Sequence, residues 1–165
     1  MAGGAQAGVV VLAVVGRSGA GKTTLLAGLV PELARLGRRV AALKHTHHPS
    51  KDKPGSDSFR LRDSGAFVSM LAGPDGLGLW GWEPPPETLV ELAIRAGADC
   101  VLLEGYKHSA FPRLEVVRQS SPLLAPDELW GMATDEPRPG VRCYRLRDFK
   151  KLAHAMIFDE MLITS

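Results

Sequence analysis

The sequence predicts a three-layer α/β fold with a mainly parallel sheet and a protruding β-hairpin, and three observations carry that expectation. Short apolar runs alternate with stretches of helical periodicity, the pattern of strands joined by crossover helices. The first run, VVVLAVV (Val9–Val15), is apolar throughout, as a parallel strand buried on both faces requires. The segment GPDG (Gly73–Gly76) lies between two further apolar runs and is a strong turn signal. A chain of 165 residues suits one domain, 1–165, with a real core.

Each element can be justified in turn. After Val9–Val15, the positions Leu25, Leu26, Leu29, Val30, Leu33 and Leu36 have helical spacing that Gly37 ends. Arg39–Leu43 is a second short strand. From Lys44 to Gly55 periodicity is lost among His, Pro, Lys and Asp, which predicts a loop. Ser56 is placed to cap a short helix, Asp57–Ser64, that Gly65 closes. Ala66–Leu71 and Leu77–Trp80 form the hairpin, with Trp82 just beyond it. PPPE (Pro84–Glu87) starts a helix over Thr88–Arg95. The strand Asp99–Leu103 follows, then a Gly/Lys/His turn and the strand Leu114–Val117. A last strand pair, Leu129–Ala133 and Val141–Leu146, leads to a closing helix over Asp148–Met161. Residues 1–8 are expected to be disordered, and no repeat or low-complexity segment is evident.

Composition narrows the function classes. Hydrophobic residues at 45% and charged residues at 23% are ordinary for a soluble globular protein. A formal charge of +2 is too small to argue for nucleic acid or a membrane surface as partner. The basic run RLRDFKK (Arg145–Lys151) reads as a solvated helix start. Cys100 and Cys143 sit singly in apolar runs, so they read as buried thiols without disulfide or zinc-ligand spacing. MAGGAQAG has no positive n-region and Val9–Val15 is far too short to span a bilayer, so a cytoplasmic location is expected.

The chemistry is concentrated in VVGRSGAGKTT (Val14–Thr24). Gly16, Gly21, Lys22 and Thr23 satisfy G-x-x-x-x-G-K-[ST] between a buried strand and an amphipathic helix, which makes the fold P-loop NTPase-type. Gly16, Arg17, Ser18, Gly19, Ala20, Gly21, Lys22, Thr23 and Thr24 are the predicted nucleotide-binding residues. Their backbone N–H groups converge on phosphate oxygens, the helix N-terminus adds its positive end, and Lys22 adds a full charge. Thr23 offers a hydroxyl to Mg²⁺. A P-loop needs a second acid at a neighbouring strand end. Glu104 in CVLLEGYKH is the candidate, because a carboxylate at the C-terminal end of a parallel strand points into the ligand crevice. Asp99 precedes that strand and would lie at the wrong end. Lys22 and Glu104 are thus the candidate catalytic groups, and Thr23 and Glu104 the candidate metal ligands.

The loop LKHTHHPS (Leu43–Ser50) leaves the second strand at the same edge. Adjacent His47 and His48 cannot easily both ligate one ion, and no cysteine lies nearby. Three readings stay open: Lys44 and His45 as phosphate-facing or switch groups, a solvated polar loop, and a transition-metal site.

In this order, the P-loop strand, KHTHH, DKPGSDS (Asp52–Ser58) and LLEGYKH (Leu102–His108) closely resemble the molybdopterin-guanine dinucleotide biosynthesis protein B (MobB) family, from about Val9 to Asp135. The resemblance implies a homodimeric GTP-binding protein with weak hydrolysis. It implies assistance to the guanylyltransferase that attaches GMP to molybdopterin in molybdenum-cofactor maturation, with molybdopterin a further possible ligand. It makes Lys44, His45, Asp57 and Gly105 supporting or switch residues, and the hairpin Ala66–Trp80 an intersubunit element. It also places Asp135, in ATDE, at the guanine base. The usual N/T-K-x-D guanine signature is missing, so base preference rests on Asp135 alone. Arg17 stands where some dimeric relatives carry a lysine that crosses to the partner's phosphates; a solvent-facing side chain is the plainer expectation. Two competing functions use the same P-loop. A small-metabolite kinase would need an acceptor pocket and a lid, for which Arg60–Arg62 is the one faint candidate. A nucleotide-dependent metal chaperone would use His45–His48.

Overall fold

The computed structural model describes residues 8–46 and 52–164. Its elements are β1 (Val9–Val15), α1 (Lys22–Arg35), β2 (Val40–Lys44), α2 (Asp57–Asp63), β3 (Ser69–Gly73), β4 (Gly76–Trp80) and α3 (Pro86–Arg95). They continue with β5 (Cys100–Glu104), β6 (Arg113–Val116), β7 (Gly131–Ala133), β8 (Cys143–Tyr144), α4 (Phe149–Phe158) and β9 (Ile163–Thr164). Short 3-10 turns occupy Pro126–Glu128 and Glu160–Leu162. The chain divides into two compact units, Met1–His45 with Leu89–Ser165, and Thr46–Thr88.

In the first unit the described residues form a seven-stranded sheet in the order β2-β5-β1-β6-β7-β8, parallel throughout, with β9 antiparallel to the start of β1. β1 is central because its side chains are apolar on both faces. Val10, Leu12 and Val14 pack with Leu25, Leu29 and Leu33 of α1 and Leu152 and Met156 of α4. Val11, Ala13 and Val15 pack on the other face with Val90 and Ala93 of α3. Burying each Val or Leu side chain of this kind stabilises by roughly 1.5–3 kcal/mol. Helices on both faces of a parallel sheet are the α/β arrangement the sequence predicts.

α1 ends as its glycine requires: Arg38 N–H donates to Leu33 O (3.1 Å) and Gly37 N–H to Ala34 O (3.0 Å). α1 and α4 approach closely because Gly28 has no side chain; a Cβ there would lie 2.4 Å from the Phe149 ring. Burial pushes the Cys100 thiol up to about 12, which keeps it protonated and inert. Cys143 is only half-buried, and both cysteines are free.

The C-terminal segment departs from expectation. α4 stops at Phe158 instead of running to Met161, because Asp159 Oδ1 accepts the Met161 N–H (3.1 Å) and turns the chain. The 3-10 turn then delivers Ile163 and Thr164 to Val10 and Val9. There is room for them because β6 pairs only with Ala13–Val15, leaving the start of β1 open on that side.

The second unit has its own organisation. The Ser56 hydroxyl accepts the Phe59 N–H (3.2 Å) as the cap of α2. Asp52 is buried, and its Oδ1 accepts from the Ser56 and Ser58 hydroxyls (2.9 and 2.8 Å). Its Oδ2 lies 3.4 Å from Arg62 Nη2, without a well-aligned hydrogen bond. β3 and β4 pair from Ser69↔Trp80 to Gly73↔Gly76 around Pro74–Asp75, so the first hairpin strand starts later than the apolar run suggests. Of residues 1–8, only Gly8 is among those described.

Candidate functional site

Six parallel strands bring their C-terminal ends to one edge of the sheet, and the sequence motifs meet there. The P-loop leaves β1 with Gly16 at φ 140°, a conformation that L side chains rarely adopt. A Cβ at Gly16 would lie 2.6 Å from the Val116 carbonyl, so only glycine lets the loop leave the strand this close to β6. Gly21, at φ 100°, caps α1. The Leu25 N–H donates to Gly21 O (2.8 Å), the first bond of the helix. The amides of the preceding turn, Lys22–Thr24, therefore point out of the helix end, where its dipole favours an anion.

Side chains gather around this helix start. The Lys22 ammonium donates to the carbonyls of Gly16 (3.0 Å) and Arg17 (2.8 Å), which curls it over its own loop. The Thr23 hydroxyl lies 2.8 Å from both oxygens of the Glu104 carboxylate and donates to it. Lys44, at the end of β2, places its ammonium 3.1 Å from Glu104 Oε1 and 3.4 Å from Thr23 Oγ1. Glu104 is 8% exposed, and these partners offset the cost of burying its carboxylate. Register explains the meeting: Val14 and Lys44 both lie beside Glu104 in the sheet.

A hydroxyl and a carboxylate converging on one point, with an ammonium already drawn to it, form an oxygen donor set that fits Mg²⁺. Two protein oxygens would leave the remaining positions of such an ion to phosphate and water. Among the described residues no group of three or more His, Cys, Asp or Glu could hold a metal by itself.

The other predicted residues fall as follows. The His45 N–H donates to Glu104 O (3.0 Å), and its ring lies 5.1 Å from that of Tyr106. The Gly105 N–H donates to Val14 O (2.9 Å), which fixes the turn after Glu104 to the P-loop strand. His47 and His48 lie outside the described residues. Ser18, Gly19 and Thr24 are exposed, and Ala20 is buried beneath the loop. Arg17 is exposed, with Nε donating to Ser121 O of its own chain (3.2 Å). Asp135 follows β7 at the same edge; it is exposed, and its Oδ1 accepts the Leu146 N–H (3.2 Å). Asp57 belongs to the second unit, exposed in the first turn of α2. Asp99 stands at the opposite end of β5, where it accepts the Arg39 N–H (2.9 Å).

Two residues here escaped the sequence reading. Arg118 follows β6 at the same edge, and its Nη2 lies 3.7 Å from where a Cβ on Gly21 would be. Glu115, within β6, is 1% exposed and accepts the N–H groups of Leu123 (2.6 Å) and Leu124 (3.2 Å). A carboxylate inside an apolar strand was the available signal for the latter.

Comparisons with known proteins identify the family. The family model described as "Molybdopterin guanine dinucleotide synthesis protein B" matches residues 11–135. A relative from Haemophilus influenzae, named molybdopterin-guanine dinucleotide biosynthesis adapter protein, is 38% identical over 133 residues, covering 76% of this chain and 75% of its own. A solved structure of molybdopterin-guanine biosynthesis protein B (MobB) aligns at a TM-score of 0.62 and 26% identity, covering 88% of this chain and 96% of that one. Bacillus subtilis MobB, at 20% identity, supports the fold alone, with a TM-score of 0.69 over 91% of this chain and 99% of its own. With a matched span that runs from β1 through the P-loop and Glu104 to Asp135, the chain belongs to the MobB family.

Proposed function

We propose that this protein is a GTP-binding accessory factor with weak GTPase activity, acting in molybdenum-cofactor maturation beside the guanylyltransferase that joins GMP to molybdopterin. The observation that carries the reading is the Thr23–Glu104 pair at 2.8 Å, set on the strand next to the P-loop. A phosphate-binding loop and a metal-side carboxylate in contact are what a nucleoside triphosphate with its cation requires. The role beside a guanylyltransferase rests on family membership and on the names of the relatives.

In this reading the Lys22 ammonium exchanges its loop carbonyls for β- and γ-phosphate oxygens. Thr23 and Glu104 hold Mg²⁺, which supplies positive charge beside those oxygens. Lys44 then shares the carboxylate with the metal, as a switch residue would, and Asp135 faces the guanine edge. Ordering the attacking water takes a dedicated group, and the sequence offers no evident one, so turnover is slow. Glu104→Gln is expected to slow it further while GTP still binds.

The protein acts as a homodimer in this proposal, in the cytoplasm. Support comes from the hairpin of the second unit, where Phe67 is 79% exposed and Met70, Leu71 and Leu77 are each more than half exposed. Met70 and Leu71 are successive residues of one strand, so apolar side chains are exposed on both hairpin faces. Surface of that kind marks a contact region, and a self-complementary one gives a two-fold pair. Sedimentation at tens of micromolar should find the dimer; a monomer would remove this part. The functional test is reconstitution of guanylyltransferase, molybdopterin and Mg·GTP. Adding the wild-type protein should raise guanine dinucleotide formation and the Lys22→Ala variant should not. No gain from the wild type would overturn the accessory role.

A further inference from the structure

We infer that Arg118 is a phosphate-binding residue of this site, reaching the nucleotide from the side opposite Thr23 and Glu104; this rests on the nucleotide reading above. β1 lies between β5 and β6 in the sheet. Glu104 ends β5 and approaches the P-loop from one side, while Arg118 follows β6 and approaches it from the other. The Arg118 guanidinium lies over Gly21, the residue that caps α1, at 3.7–3.9 Å from the position of a Cβ there. A planar cation thereby lies beside amides that already favour an anion.

The surroundings show that the position is built. The Val117 N–H donates to Ala133 O (2.9 Å), which extends the sheet up to Arg118. Gln119 then takes φ 50°, a left-handed conformation uncommon for a residue with a side chain, and turns the chain sharply. The segment beyond is fastened at three points. Arg17 Nε of the P-loop donates to Ser121 O (3.2 Å), Arg138 Nη2 lies 3.4 Å from Ser120 O, and Glu115 takes the amides of Leu123 and Leu124 from below. Arg17 and Arg138 each have an acceptor, whereas Arg118 makes no hydrogen bond or ion pair among the described residues. Five donors in a rigid fork, placed at a phosphate loop and engaged by no acceptor among the described residues, match a phosphate or pyrophosphate group.

Its side of the loop decides which phosphates it meets. Thr23 and Glu104, toward β5, are the residues that would hold the cation, which would supply positive charge to the terminal phosphates. Arg118 stands toward β6 and β7, the side of Asp135 and the proposed base. It therefore contacts the α- and β-phosphates, which GDP and GTP share, and it does not read the base.

Calorimetric titration of the full chain with GDP, GTP and ATP tests this. Arg118→Ala should weaken all three by about tenfold or more, the loss of one charge-assisted contact. The GTP-to-ATP ratio should stay as in the wild type, and Arg118→Lys should recover part of the affinity. An unaltered melting temperature, expected for an exposed side chain, would confirm that each variant is folded. Unchanged affinities in the Ala variant, or a loss confined to GTP with GDP unaffected, would overturn the assignment. If the wild type bound none of the three, the nucleotide reading itself would fall, an outcome distinct from a wild type that binds and a variant that binds equally well.

Discussion

The two ends of the parallel sheet use charge in opposite ways. At the amino ends of β7 and β8, Trp130, Arg142 and Asp159 form a closed cluster, which the ring of Tyr144 joins from within β8. The Trp130 Nε1–H donates to Asp159 Oδ2 (2.9 Å), Arg142 pairs with the same carboxylate, and the Trp130 and Tyr144 rings stack at 5.5 Å. Arg142 also lies over the Trp130 ring, 5.4 Å from its centre. The hydrogen bond from Arg142 holds the Asp159 carboxyl below the usual carboxylate range, and its partnership raises Arg142 in turn. At the carboxyl ends, Lys22 leans on backbone carbonyls, Lys44 shares Glu104 with Thr23, and Arg118 has no acceptor among the described residues. The first end joins the C-terminal turn to the sheet. The second gathers three cations at one edge of the sheet with one carboxylate between Lys44 and Thr23, an arrangement that a polyanion would complete. Similar residue types thus serve stability where they are mutually satisfied and binding where they are not.

Breaking the carboxyl end should have the largest effect on binding. Lys22→Ala is expected to weaken GTP by roughly ten- to a hundred-fold, or about 1.5–3 kcal/mol, because a charge-assisted phosphate contact is lost. Its melting temperature should be close to that of the wild type, since the two carbonyls it releases lie in a loop at least partly open to solvent. Titration calorimetry beside a thermal melt checks both halves.

The amino end should respond the other way. Asp159→Ala leaves the Trp130 N–H and Arg142 without their shared acceptor, and is expected to cost about 1–2 kcal/mol of stability. Arg142 is half exposed, which keeps the figure at the modest end of buried charge pairs. Nucleotide affinity should not change. The pH dependence has a definite sign: a depressed carboxyl contributes fully above the ordinary aspartate range, and its contribution is lost as pH falls through the lowered value. Urea unfolding from neutral pH downward should show that loss in the wild type, and a flatter acid limb in Asp159→Asn.

The smallest effect is expected at Asp135. Asp135→Asn keeps an oxygen for the Leu146 N–H but loses the carboxylate that can accept both guanine N1–H and N2–H₂. The GTP-over-ATP preference should fall by about 1 kcal/mol, with the phosphate contacts retained. An unchanged ratio of dissociation constants would remove Asp135 from the base site.

Much of the carboxyl end was legible because its rules are local. A glycine pattern between strand and helix identifies the P-loop, and an acid after an apolar run identifies Glu104, with Asp99 assigned to the far end on the same logic. Applied to LEVVR, the same rule places Arg118 at that edge, but a cation there is not the acid that a metal side requires. The amino end was not legible. Trp130, Arg142 and Asp159 are far apart in sequence and meet only through the parallel order of β7 and β8 and the turn that Asp159 makes. β9 has two residues, too few for periodicity, and nothing local in the run up to Met161 marks Asp159 as the residue that ends the helix. Sheet order likewise depends on pairings between distant segments, which no local pattern encodes.

The measurement closest to the central claim is calorimetric binding of GTP and ATP to the wild-type protein, each with and without Mg²⁺. The account predicts a single site that binds GTP more tightly than ATP, with Mg²⁺ strengthening the triphosphate complex and Thr23→Ala abolishing only the Mg²⁺-dependent gain. Absence of nucleotide binding in every condition would contradict the assignment of the carboxyl edge as a nucleotide site.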